Sequence, residues 1–238
     1  MSKESFLSSS WDGCVKIWRP ELAQSVTTLP IHNCTYSAQF SPHSANIVSA
    51  VSSDSRIRVF DMRTKASASN HLVMEILIHA PPLTRPGIAP AAAMPEAEAL
   101  THDWNKYRDT VLATGGVDRM IRTFDIRAPN QGPVAVLQGH EFAIRRLTWS
   151  PHLSDVLLSA SYDMTCRVWT DGSAVGTPGA KSPVDTLSFG DGRQLGRMDR
   201  HTEFATGVDW CLFGNEGWCA SCGWDERVLV WDVRAVMR

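Results

Sequence analysis

The stretch SASYDMTCRVW, Ser159 to Trp169, sets an aspartate, Asp163, in a short polar turn and closes on a tryptophan, Trp169, six residues later. The same interval recurs in SSWDGCVKIW (Ser9 to Trp18), SSDSRIRVF (Ser52 to Phe60), GGVDRMIRTF (Gly115 to Phe124) and CGWDERVLVW (Cys222 to Trp231). The turn aspartates are Asp12, Asp54, Asp118, Asp163 and Asp225, and the closing aromatics are Trp18, Phe60, Phe124, Trp169 and Trp231. Five copies at one spacing mark an internal repeat, which constrains the fold more than any single segment does.

Around each turn the sequence reads as strands. VKIW, RIRVF, MIRTF, TCRVW and RVLVW alternate with the period expected of a half-buried strand, and VLATGG (Val111 to Gly116) and VLLSAS (Val156 to Ser161) supply the hairpin partner upstream. A further strand precedes the hairpin, as in TYSAQFSPH (Thr35 to His43) and AIRRLTWSPH (Ala143 to His152), and a shorter one comes before that, as in PVAVLQGH (Pro133 to His140). Four antiparallel strands every forty-odd residues, with a Gly-His pair and a closing Trp, resemble the WD-repeat blade of a β-propeller. The alternative is an unrelated β-sandwich with coincidental turns. The WD resemblance places His140, Ser159, Asp163 and Trp169, and again His201, Ser221, Asp225 and Trp231, as buried Asp-His-Ser-Trp hydrogen-bond tetrads, which would satisfy polar groups inside each blade.

The expected fold is therefore all-β, one WD-repeat propeller domain over residues 1–238. Its parts are a partial blade over 6–30 and blades over about 31–78, 98–139, 140–199 and 200–238. Successive turn aspartates lie 42, 64, 45 and 62 residues apart, so two units carry inserts. These are Pro- and Ala-rich residues 80–97 and Gly-, Ser- and Pro-rich residues 170–183, both read as mobile surface loops. No inner strand precedes Phe6 and no outer strand follows the last hairpin. The expectation is an N-terminally truncated propeller, an open arc of about five of seven blades with the first and last incomplete.

With 23 basic and 25 acidic residues the chain carries no global charge that would point to nucleic acid or an anionic membrane. It holds no run of eighteen apolar residues, and MSKESFLSSSW lacks the basic-then-apolar build of a secretory signal, so a soluble intracellular chain without membrane insertion is expected. Six cysteines scattered along strand-like segments suit a reducing compartment. Cys219 and Cys222 have the spacing of a metal or redox pair, but residues three apart on a strand point to opposite faces. GTPGAKS (Gly176 to Ser182) lacks the glycine spacing of a phosphate loop. Beyond the two tetrad histidines, the others are placed in turns or loops. Neither a catalytic signature, a cofactor motif nor a metal motif is present, so the chain reads as a non-enzyme.

What remains is a rim of loops. The residue before each turn aspartate projects from one face: Trp11, Ser53, Val117, Tyr162 and Trp224. So many apolar side chains at such positions suggest binding anchors.

Three runs outside the repeat pattern are more specific: DWNKY (Asp103 to Tyr107), HEFAIRR (His140 to Arg146) and HTEF (His201 to Phe204). With them, the chain from Phe6 to Val233 resembles the receptors for the type 2 peroxisomal targeting signal, the seventh peroxins. That resemblance implies a shuttling receptor of the cytosol and peroxisomal matrix. It would bind matrix enzymes through an N-terminal amphipathic signal helix and deliver them, with a co-receptor peroxin, to docking peroxins. By strand position Tyr36, Glu98 with Leu100, Ala143 with Arg145, and Phe204 with Thr206 open the inner strands. Glu98 and Glu203 are the candidate partners of the signal's basic residue, with Glu141 third because Arg145 stands ready to engage it. The competing reading is a generic WD-repeat scaffold or adaptor, which would not need DWNKY or HTEF.

Overall fold

Short runs of Val, Ile, Leu, Thr and Trp between Asp, Ser and Gly turns form eighteen strands, and helix is confined to one terminal 3-10 turn among the residues described. The structure, a computed structural model, describes residues 5–65, 70–79, 96–173 and 192–237. Five antiparallel meanders follow in chain order. Sheet one holds β1 (Phe6–Ser9), β2 (Cys14–Trp18) and β3 (Thr27–Pro30). Sheet two holds β4 (Thr35–Ser41), β5 (Ser44–Ser52), β6 (Arg56–Asp61) and β7 (Leu72–Leu77). Sheet three holds β8 (Ala99–Trp104), β9 (Val111–Gly116), β10 (Ile121–Asp125) and β11 (Ala135–Leu137). Sheet four holds β12 (Ile144–Trp149), β13 (Val156–Ser161), β14 (Cys166–Thr170) and β15 (Arg193–Met198). Sheet five holds β16 (Ala205–Trp210), β17 (Trp218–Gly223) and β18 (Val228–Asp232). The first strands β4, β8, β12 and β16 stand side by side, and β1 packs on β4, so the sheets are blades of a β-propeller.

The core lies between blades. Val15, Ile17 and Leu29 of sheet one meet Val48, Ala50 and Phe60 of sheet two, while Val156, Leu158 and Val168 of sheet four meet Val208, Trp210 and Trp231 of sheet five. Because each middle sheet is covered on both faces, β9 and β13 are buried at every residue, and β6 is buried through Ile57, Arg58, Val59 and Phe60. The half-buried alternation expected from RIRVF therefore gives way to two-sided burial. Arg58 tolerates this because its guanidinium binds Ser52, Asp54 and Glu75.

Two expectations need adjusting. Thr170 ends β14 and Asp171 is buried with its carboxylate accepting from Arg108 at 2.6 Å, so the second insert starts after Thr170 and not at it. Residues 174–183 of that insert, with GTPGAKS, and residues 80–95 of the first lie outside the described residues. Nor do the remaining histidines all sit in turns or loops, for His102 is fully buried in β8, whereas His79, in the turn after β7, bonds to Ser55 and Asp118 between blades.

His102 helps join sheet three to sheet two. In sheet two the closing aromatic is Phe60 and the position four residues before Asp54 is Ala50, both facing sheet one, while Ser49 on the opposite face of β5 finds its hydroxyl partners on the next blade. Trp104 Nε1 donates to Ser49 Oγ at 2.7 Å, and that hydroxyl reaches His102 Nε2 at 2.8 Å. The DWNKY run continues this clasp. Asp103 accepts from the Trp149 amide at 2.7 Å and from Lys106, Asn105 Nδ2 donates to the Ser154 carbonyl, and Tyr107 donates to the Pro151 carbonyl. These residues join sheet three to its neighbours and do not reach the rim.

Burial pushes His102 down to about 3, and burial also lowers His140 despite its aspartate partner. An unfolded histidine takes its proton near pH 6.5. Below that value the unfolded state binds more protons than the folded one, so stability falls as pH drops, toward the folded value near 3 for His102. Urea unfolding at a series of pH values should show a loss of up to about 1.4 kcal/mol per unit below about pH 6.5 from His102. His102→Gln should remove that part of the slope, and an unchanged slope would contradict the assignment.

Candidate functional site

The rim is built from the turn upward. The residue after each turn aspartate is left-handed in all five copies, Gly13 (φ 81°), Ser55 (59°), Arg119 (69°), Met164 (65°) and Glu226 (60°). Only the first is glycine, so the sequence did not advertise the shared geometry. Four of the aspartates are then fixed by an amide two residues on: Asp12 by Cys14 N, Asp118 by Met120 N, Asp163 by Thr165 N and Asp225 by Arg227 N. The turn presents the preceding side chain, Trp11, Ser53, Val117, Tyr162 or Trp224, at the tip.

In sheet four the tetrad is complete. Trp169 Nε1 donates to Ser159 Oγ at 2.8 Å, so the serine proton goes to His140 Nε2 at 2.6 Å, and His140 Nδ1 donates to Asp163 at 2.7 Å. Burial alone would raise the Asp163 carboxyl, but bonds from His140, Thr165 and the Glu141 amide outweigh it and hold it below the usual carboxylate range. Sheet five repeats the chain with Trp231 to Ser221 at 3.2 Å, Ser221 to His201 at 2.9 Å and His201 to Asp225 at 2.9 Å. These residues are buried scaffolding under Tyr162 and Trp224.

The inner strands contribute a second ring by a device that strand counting alone does not reveal. Pairing skips one residue near the start of four of them. Thr35 and Ser37 pair with Ser52 and Val51, Ala99 and Thr101 with Gly116 and Gly115, Ile144 and Arg146 with Ser161 and Ala160, and Ala205 and Gly207 with Gly223 and Cys222. The residues left out are Tyr36, Leu100, Arg145 and Thr206, all half-buried. A bulge at one level in four consecutive blades re-aims four side chains together. One step further out, the carbonyls of Cys34, Glu98, Ala143 and Phe204 accept from the rim amides of Ser53, Val117, Tyr162 and Trp224 at 2.9–3.0 Å. Glycine permits this approach: a Cβ on Gly116 would overlap the Glu98 carbonyl oxygen, and one on Gly223 would come within 2.8 Å of that of Phe204.

The candidates gather into two groups. Trp11, 77% exposed, stands edge-on to Tyr36 at 6.3 Å, and the Tyr36 hydroxyl donates to the exposed Glu98 carboxylate at 3.0 Å. Tyr162, Phe204 and the 64%-exposed Trp224 form a three-ring cluster with centroids 4.9, 5.1 and 6.3 Å apart. Val117 is exposed and Leu100 half-buried on sheet three, between the groups. Glu203 is exposed and has no hydrogen bond or ion pair among the described residues. Glu141 lends its amide to Asp163, and no ion pair joins it to Arg145, so that expected engagement is absent among the described residues. Phe142, exposed beside Glu141, is a rim aromatic that the turn pattern did not single out, because it lies in the connection from β11 to β12 and not before a turn aspartate.

Cys219 is buried and Cys222 exposed, on opposite faces of β17, and burial pushes the neighbouring Cys166 thiol up to about 12. No group of three potential metal ligands occurs among the described residues.

The chain matches the family of the WD domain, G-beta repeat, over residues 2–19, 23–61, 131–170 and 192–232. It is 36% identical to the peroxisomal targeting signal 2 receptor of Saccharomyces cerevisiae, over 98% of this chain and 69% of that protein. The receptor of the same name from Komagataella phaffii is 33% identical, over 85% of this chain and 50% of its own length. That from Schizosaccharomyces pombe is 28% identical, over 95% and 61%. The chain thus spans between half and about seven-tenths of these relatives. On the repeats, the blades and this similarity, the chain belongs to the WD-repeat family of peroxisomal targeting signal 2 receptors.

Proposed function

We propose that this chain receives the N-terminal type 2 targeting signal of peroxisomal matrix enzymes, held as a short amphipathic helix across the rim and the inner ring. The observation that carries this reading is the cluster of exposed Trp224 with half-buried Tyr162 and Phe204 on the rim that also carries Glu98. Helix-in-groove recognition needs apolar anchors, and a basic residue at the helix start needs a carboxylate. The names of the relatives support a role as a peroxisomal targeting receptor. Shuttling between cytosol and peroxisomal matrix, with a co-receptor peroxin and docking peroxins as partners, belongs to the same reading, which assigns no reaction and no cofactor.

Binding of a fluorescent signal nonapeptide tests it. Glu98 is exposed before docking, where an ion pair contributes under about 1 kcal/mol, and becomes partly covered when a helix lies on it. Glu98→Lys should therefore weaken binding about tenfold, close to 1.4 kcal/mol. A peptide whose basic residue is changed to Glu should recover part of the loss, and Glu203→Lys is the control. Unchanged affinity in Glu98→Lys would show that another group receives the basic residue.

A further inference from the structure

Arg145 is the one charged member of the bulge ring, and it is half-buried without a hydrogen bond or ion pair among the described residues. Several other arginines of the repeats are engaged, whereas Arg146, next along the strand and also half-buried, likewise has no hydrogen bond or ion pair among the described residues. Arg58, Arg122 and Arg167 hold turn aspartates, Arg63, Arg127 and Arg234 fork onto the aspartate two residues earlier, and Arg108 holds Asp171. A half-buried guanidinium, with five donors to satisfy, is costly to leave unpaired. Its strand, β12, lies between β8, which follows Glu98, and β16, which follows Phe204. The mouth of the inner ring therefore carries an acid on one blade, a base on the next, and no ion pair between them.

We propose that Arg145 binds the C-terminal turn of the docked helix and so fixes its direction, N-terminal turn over Glu98 and Tyr36, C-terminal turn over sheet four. The inference rests on the reading of this face as a helix-binding site. A helix exposes unpaired amides and partial positive charge at its start, and unpaired carbonyls and partial negative charge at its end. Glu98 and Arg145 match both ends in this orientation and oppose both in the reverse. Packed sheets stand about 10 Å apart, and nine helical residues extend about 13 Å, so one short helix reaches from one ring position to the next. The planar fork of arginine suits carbonyl or carboxylate oxygens at a helix end.

The test uses the full chain and two labelled nonapeptides, identical except for Glu or Lys in the last turn, with anisotropy as readout. Wild type should bind the Glu peptide about tenfold more tightly, Arg145→Gln should flatten the difference, and Arg145→Glu should reverse it. Glu98→Lys should leave this last-turn preference in place. A comparison of the two peptides on wild type needs no variant to fold. Equal binding of both there, or the same preference in Arg145→Gln, overturns the role of Arg145 while leaving the peptide site standing. Failure of folded wild type to bind either peptide overturns the peptide-binding reading and this inference with it.

Discussion

Asp163→Ala is expected to lower the unfolding free energy by about 3 kcal/mol or more, the cost of removing one partner from a buried charged network. The Asp163 side chain is 3% exposed and is met by His140 at 2.7 Å, Arg167 at 3.2 Å, Thr165 Oγ1 at 2.6 Å and two backbone amides. Without the carboxylate, the Nδ1–H of a fully covered imidazole has no acceptor, and Arg167 keeps only Thr165 and Gln194. The tautomer chain from Trp169 through Ser159 loses its last acceptor as well. Asp12 is the internal comparison: it occupies the same turn position, is 51% exposed, and its nearest cation, Lys16, is 3.9 Å away. Asp12→Ala should cost under about 1 kcal/mol. Urea unfolding of both variants decides the matter, and equal losses would mean that the turn, and not the network, carries the stability.

That contrast follows from what repeats make legible. Asp, His, Ser and Trp at fixed offsets were readable because a buried polar group in a strand is rare unless its partners are also encoded, and two blades encode all four. The rim residues were readable for a related reason: Trp11, Tyr162 and Trp224 stand where a turn normally carries polar residues. The bulges at Tyr36, Leu100, Arg145 and Thr206 were not. A bulge adds one residue to one strand without changing residue type, and only the small partners Gly116 and Gly223 leave a trace of it.

Departures from the repeat were as informative as the repeat itself. Phe60 breaks the closing-Trp pattern together with Ala50 four residues before Asp54, so this pair in sheet two makes no indole-to-serine bond, while Trp104 of the following blade bonds Ser49 on the other face. DWNKY is distinctive in the sequence, but only the packing of β8 against β5 reveals that Trp104 and the preceding His102 meet the Ser49 hydroxyl of the neighbouring blade. This separates two kinds of distinctive residue. DWNKY is distinctive because it clasps blades together, whereas HTEF contributes Phe204 to an exposed surface.

Replacing Trp224 with Ala should weaken binding of the signal peptide about thirtyfold, or about 2 kcal/mol, the loss typical of one well-covered aromatic anchor. Trp224 is the most exposed ring of its cluster and packs at a tilt against Phe204, which packs at a tilt against Tyr162, so the free protein already holds the three rings in mutual contact. Little side-chain freedom is left to lose when a peptide covers them, which favours a large share of binding energy at this point. Because Trp224 is mostly out in solvent, the same change should move the unfolding free energy by less than about 0.5 kcal/mol. The triple change of Tyr162, Phe204 and Trp224 to Ala should weaken binding more than a hundredfold, but by less than the product of the single losses, since neighbouring rings share one surface. Trp11→Ala tests the other group, where a single edge contact with Tyr36 offers a smaller platform, and a loss of about fivefold is expected. Should Trp224→Ala bind the peptide as wild type does while Trp11→Ala does not, the apolar side of the helix lies over sheets one and two, and the orientation assigned through Arg145 falls with it.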